Sequence, residues 1–184
     1  MRVTVPSEVR LACAAARRAV LFLGDLDAAS HGLAEGSQRD RVADAVLAEM
    51  ADAIRAAVLS TGSNITRTRW AASSAMAAEH VGWLARCSNN SFVVRRGVDG
   101  ADGALLEELD DLVDRLSTAA GRKSRPTAAP LVVLVAKDHI YAPAVRRLQL
   151  LAAPTWVLQP GRYIAADLYR AACAVTPLTR PLAA

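Results

Sequence analysis

Three apolar runs in this sequence each give way to acids. Residues 19–23 (AVLFL) lead through Gly24 to Asp25 and Asp27, residues 90–95 (NSFVVR) lead to Asp99 and Asp102, and residues 131–136 (LVVLVA) lead through Lys137 to Asp138. If the runs are strands of a parallel sheet, their carboxyl ends share one edge, where ligands of open α/β sheets gather, and the acids can meet in one cleft. Like charges brought together repel, and a divalent cation with oxygen ligands is the usual way to keep them ionised. No Cys or His stands at useful ligand spacing, so a hard ion, Mg²⁺ or Mn²⁺, is the expected choice. Such an ion activates water and neutralises the charge that builds on a phosphate during in-line displacement. The plainer role for each acid is helix capping; it serves Asp138 as well as chemistry does, and for Asp99 it is the favoured reading.

The elements that must position these acids alternate between strand and helix. Residues 131–136 are unbroken apolar, as in a strand covered on both faces, and from Tyr141 the spacing becomes helical, with Val145 and Leu148 opposite Arg146 and Arg147. Residues 7–18 read as a helix, 31–37 as a loop, and 38–60 as a long helix with Val42, Val46, Met50, Ile54 and Val58 on one stripe. A weakly alternating strand at 65–70, nearer the sheet edge, precedes a helix over 73–87 capped by Ser73 or Ser74. A helix from Asp102 carries Leu105, Leu109, Leu112, Val113 and Leu116 inward. The segment 119–130 is a loop, 154–158 a last strand, and 163–174 a closing helix, with a loosely ordered tail from Thr176. The expected fold is α/β, a three-layer α/β/α arrangement around a mainly parallel sheet of about five strands.

The chain has 184 residues, 53% hydrophobic but only 4% aromatic, enough for one full core built from Ala, Val and Leu. Its expected organisation is a helical extension over 1–18, one domain over 19–178 and a tail over 179–184. Three cysteines, Cys13, Cys87 and Cys173, are dispersed and outside any CxxC pattern, which argues against a disulfide framework or structural zinc and for a cytoplasmic setting. No apolar run is long enough to span a membrane. The net charge of +4 comes with only two lysines, Lys123 and Lys137, among 22 basic residues. Arginine suits phosphate recognition, and the excess is mild support for nucleic acid.

These motifs resemble the NYN branch of the PIN-like nuclease superfamily, over 19–178. The family pattern opens with a strand ending in Asp, here LFLGDLDA with Asp25 in that place. It continues with Gly-x-Asp opening a helix behind a basic strand end, matched by Gly100, Ala101 and Asp102 after Arg95 and Arg96. A later strand runs into Ser-Gly-Asp-x-Asp-Phe and a Pro, matched by Ala136, Lys137, Asp138, His139, Ile140, Tyr141 and Pro143. The resemblance implies a PIN-like fold and a metal-dependent ribonuclease, with Asp25, Asp102 and Asp138 as catalytic metal ligands and Asp27, Asp99 or Glu108 as helpers. It also implies RNA as partner and a possible homodimer. The chain departs from the pattern at Ala28, where the family has Asn, and at Lys137 and Ile140. Those departures support an alternative, a catalytically degenerate PIN-like module for binding RNA or protein.

Other residues carry weaker signals. Asp25 and Asp27 also resemble the DxD of haloacid-dehalogenase-type phosphatases, a reading ranked behind the nuclease because Ala29 stands where that motif needs Thr. Arg95, Arg96, Arg122, Lys123, Arg125 and Lys137 form the expected nucleic-acid track, although each alone suits a solvated rim. His80 reads as a satisfied core or surface histidine, His139 as a possible phosphate contact, and Trp70, Trp83 and Trp156 as core.

Overall fold

The computed structural model describes residues 1–15, 18–34, 42–86, 91–97, 99–120 and 128–178. In chain order the elements are α1 (Ser7–Ala15), β1 (Ala19–Asp25), α2 (Leu26–Ala34), α3 (Asp44–Leu59), β2 (Asn64–Ser73), α4 (Ser74–Glu79), α5 (Val81–Arg86), β3 (Ser91–Arg95), α6 (Gly100–Ala120), β4 (Leu131–Val135), a 3-10 turn (His139–Tyr141), α7 (Ala142–Leu150), β5 (Thr155–Pro160), α8 (Ala166–Ala171) and β6 (Ala174–Leu178). All strand pairs are parallel, and the sheet order is β3-β2-β1-β4-β5-β6. The chain therefore starts in the middle, winds outward to one edge, and returns to wind outward to the other. This is a doubly wound sheet whose order reverses between β1 and β4, where a crevice opens at the strand carboxyl ends.

Alternation along the strands builds two cores. Val20 and Phe22 of β1, with Val133 and Val135 of β4, pack under α1 to α5, while Leu21, Leu23, Val132 and Leu134 face α6, α7 and α8. Period-two side-chain direction in a strand covered on both sides produces this split, and it makes the architecture three-layered. The tryptophans are all core, each no more than 1% exposed. Trp70 lies between Phe22, at 5.0 Å between ring centroids, and Trp83, at 5.1 Å. Gly24 makes room for this stack, since a Cβ there would overlap the Trp70 indole. Packing of the largest side chain on β2 thus fixes the backbone one residue before Asp25.

Several expectations are corrected. Among the described residues the sheet has six strands rather than about five, because residues 174–178, expected as the end of a helix and the start of a loose tail, pair with β5. The closing helix is only Ala166–Ala171. Residues 31–34 belong to α2 and not to a loop; Gly32 lies so close to the Pro160 carbonyl that no side chain would fit there. The helix expected over 73–87 is two short helices broken at His80. No helix among the described residues is long and apolar enough to cross a membrane.

Candidate metal centre

Asp25 is the last residue of β1 and one step beyond the β1–β4 register, which ends with Gly24 beside Val135. Asp138 follows β4 by three residues, and Asp102 lies in the first turn of α6. One carboxylate oxygen from each of the three lies within 4.8 Å of the others, the separation at which one cation can touch all three. Asp25 is buried, Asp102 partly so, and Asp138 is the most open of the three. The trio borders a cleft of about 540 Å³. An all-carboxylate donor set at the crevice of the sheet, graded from buried Asp25 to the more open Asp138, fits a hard divalent cation.

The electrostatics support that fit. Burial pushes the Asp25 carboxyl from 3.8 up to about 8; the Ala28 backbone N–H, donating to Oδ1 at 2.9 Å, opposes the rise, and the neighbouring charges of Asp102 and Asp27 add to it. At neutral pH this group keeps its proton unless a positive charge arrives to favour the carboxylate. Tyr141, wholly buried at the end of the 3-10 turn, places its hydroxyl 2.6 Å from Asp102 Oδ1 and 3.2 Å from Asp25 Oδ2. Burial first, then the two aspartates, push the phenol well above its usual range, so it is always a donor.

Asp27 borders the same cleft but stands outside the close trio. Its carboxylate accepts from the Ser73 backbone N–H at 3.1 Å and from Ser73 Oγ at 3.2 Å, while Ser73 Oγ also caps α4 by accepting from Met76 N. Burial raises the Asp27 carboxyl, with Ser73 and then His31 pulling it back. The expected helpers also lie elsewhere. Glu108 is engaged by Arg67 and Arg69 at 2.9 and 2.7 Å. Asp99 is exposed and contributes nothing to the cluster beyond opening α6, its carbonyl accepting from Gly103 N at 3.0 Å.

Of the basic track, Lys137 lines the cleft, and its carbonyl is anchored by Ala165 N at 2.8 Å. Arg96 is exposed next to Gly97, which also lines the cleft. Arg95 is instead engaged in an ion pair with Glu107. Arg122, Lys123 and Arg125 lie outside the described residues. His139 is exposed.

His80 is the satisfied core histidine. Its Nε2 lies 3.0 Å from Ser30 Oγ and its Nδ1 2.8 Å from Asp44 Oδ1. The set has the composition of a nucleophilic triad, but Ser30 has no exposed surface, so no substrate reaches its hydroxyl. Its work is to tie α2 to the start of α3 and the α4–α5 break.

Sequence reasoning missed Tyr141 and Ser73. For Tyr141 a signal was present: a phenol three residues after Asp138, where the resembled pattern has a Phe. For Ser73 there was none, since its contact with Asp27 joins residues 46 apart.

The fold and site together define a doubly wound parallel α/β domain with an acidic centre at its topological switch point. No protein-family model matches the chain, and no curated protein matches it in sequence.

Proposed function

We propose that this chain is a PIN-like domain of the NYN type and acts as a metal-dependent ribonuclease, with Asp25, Asp102 and Asp138 as ligands for Mg²⁺ or Mn²⁺. The observation that carries the reading is the convergence of three carboxylates, from β1, α6 and the β4–α7 connection, on one point of an open cleft. Strand order supports it too, because the trio straddles the reversal between β1 and β4. The turn after β1 offers acids in place of a glycine-rich loop, so it repels a bare phosphate and receives one only with a cation.

A divalent ion in this site supplies Lewis acidity, making water a nucleophile near neutral pH and neutralising charge on a phosphodiester. The chain's own residues do the rest. The Ala28 N–H and the Tyr141 hydroxyl orient Asp25, Lys137 offers a cation to a phosphate oxygen, and Ser73 keeps Asp27 on the cleft wall. RNA as substrate follows from the resemblance, as does the homodimer.

The test is cleavage of labelled single-stranded RNA and DNA, with Mn²⁺ and with chelator, by the wild type and by Asp102→Asn and Asp138→Asn. Metal-dependent RNA cleavage lost in both variants is the expected result. No cleavage above the variants' background, with RNA still bound, would replace the enzyme by the binding module that Ala28, Lys137 and Ile140 favour.

A further inference from the structure

We infer that Tyr141 is a positioning residue of the metal centre, its hydroxyl bracing Asp25 and Asp102 in the arrangement that receives the ion. The inference rests on the metal-site reading above and adds a residue to it.

The bracing follows from where the hydroxyl sits. Tyr141 is wholly buried, and its Oη reaches carboxylates from two separate elements, Asp102 of α6 and Asp25 of β1. It belongs to the turn that begins directly after Asp138, so one side chain joins all three segments that carry the trio. Asp25 is then met at both oxygens: Ala28 N donates to Oδ1, and the Tyr141 oxygen lies 3.2 Å from Oδ2 while its one proton goes to the closer Asp102 Oδ1. Asp102 projects from the first turn of a helix, and the 2.6 Å contact fixes the rotamer that turns it toward Asp25. A ring buried in the same apolar core as Ala101, Leu105 and Val145 need not carry a hydroxyl for packing alone. The hydroxyl is the part with no structural alternative, because phenylalanine would fill the same space. Donors that orient ligating carboxylates govern affinity for the ion, typically by about 10- to 100-fold.

The test compares metal-stripped wild type with Tyr141→Phe. Mn²⁺ affinity is read from the free-ion electron paramagnetic resonance signal, and folding from the far-ultraviolet spectrum. The expected result is a variant that stays folded and binds Mn²⁺ about tenfold or more weakly, with RNA cleavage regained when Mn²⁺ is raised. Affinity equal to or tighter than wild type would overturn the inference and leave the nuclease reading intact. Mn²⁺ binding by the wild type without RNA cleavage would remove the nuclease reading, and the affinity ratio would still decide the role of Tyr141. No Mn²⁺ binding by the wild type would overturn both.

A measurement on the wild type alone guards against misfolding of the variant. With tyrosine labelled by ¹³C at Cζ, one hydroxyl proton should exchange slowly in the metal-free protein and shift on addition of Mg²⁺. Tyr163 and Tyr169 are 77% and 60% exposed, so their protons exchange quickly. Absence of any protected hydroxyl proton would overturn the bracing.

Discussion

Replacing Asp25 by Asn should stabilise the metal-free protein, against the usual direction for a change at a buried polar position. The unfolded chain releases the Asp25 proton near 3.8 and the folded one near 8. Between those values the native state binds more protons, so the contribution of this group is fully present below about pH 4 and is lost as pH rises through about 8. Each pH unit between the two values weakens the fold by about 1.4 kcal/mol, which sets a ceiling of about 6 kcal/mol on the loss at high pH. Asn keeps the oxygen that accepts from Ala28 N and turns an N–H toward the Tyr141 oxygen, which still donates to Asp102. The assay is urea unfolding in chelator, followed by the fluorescence of the buried Trp70, Trp83 and Trp156. The difference between variant and wild type should grow by about 3 kcal/mol between about pH 5 and 7. Parallel stability curves for the two proteins, or a variant less stable than wild type at about pH 8, would refute the electrostatic reasoning.

Three further outcomes follow from the packing and the cleft. Gly24→Ala drives a methyl into the Trp70 ring and should cost about 1–3 kcal/mol or more, read as a lower urea midpoint, with loss of metal binding because Asp25 follows directly. His80→Ala strands the buried Ser30 hydroxyl and releases Asp44, at a cost of about 2–4 kcal/mol in the same assay, while the Mn²⁺ affinity of the folded fraction stays near wild type. Lys137→Ala removes a cleft-lining cation and should weaken binding of single-stranded RNA uniformly across sequences, lowering the salt slope by about 0.7; an unchanged slope would place the phosphate path elsewhere.

The centre of the fold was legible because β1 and β4 are buried on both faces, and burial leaves a plain mark: unbroken apolar runs at 19–23 and 131–136. The acids at their ends were legible for the same reason, since a strand that stops at Asp25 or just before Asp138 places those carboxylates at one edge. Elements whose identity depends on distant partners were not. β6 reads as a tail because Pro177 and Thr176 lack a strand's pattern, yet it is an edge strand, where proline is tolerated. The second half of α2 looks like a loop because Gly32 and His31 are poor helix markers, and Gly32 is there to admit the Pro160 backbone. The break at His80 reflects its capture by Ser30 and Asp44, from helices far away in sequence. At the site, the acidic trio was marked by the spacing of strand ends and by the resembled motifs. The withdrawal of Asp27 onto Ser73 and of Glu108 onto Arg67 and Arg69 arises from long-range contacts that no local pattern records.

Whether Asp25, Asp102 and Asp138 together hold one divalent ion is tested most directly by anomalous diffraction from a crystal soaked in Mn²⁺. The predicted result is a single strong peak at bonding distance from an oxygen of each of the three carboxylates, absent from an Asp138→Asn crystal treated identically. A Mn²⁺ peak elsewhere, or none, with the Tyr141 hydroxyl still between Asp25 and Asp102, would contradict it.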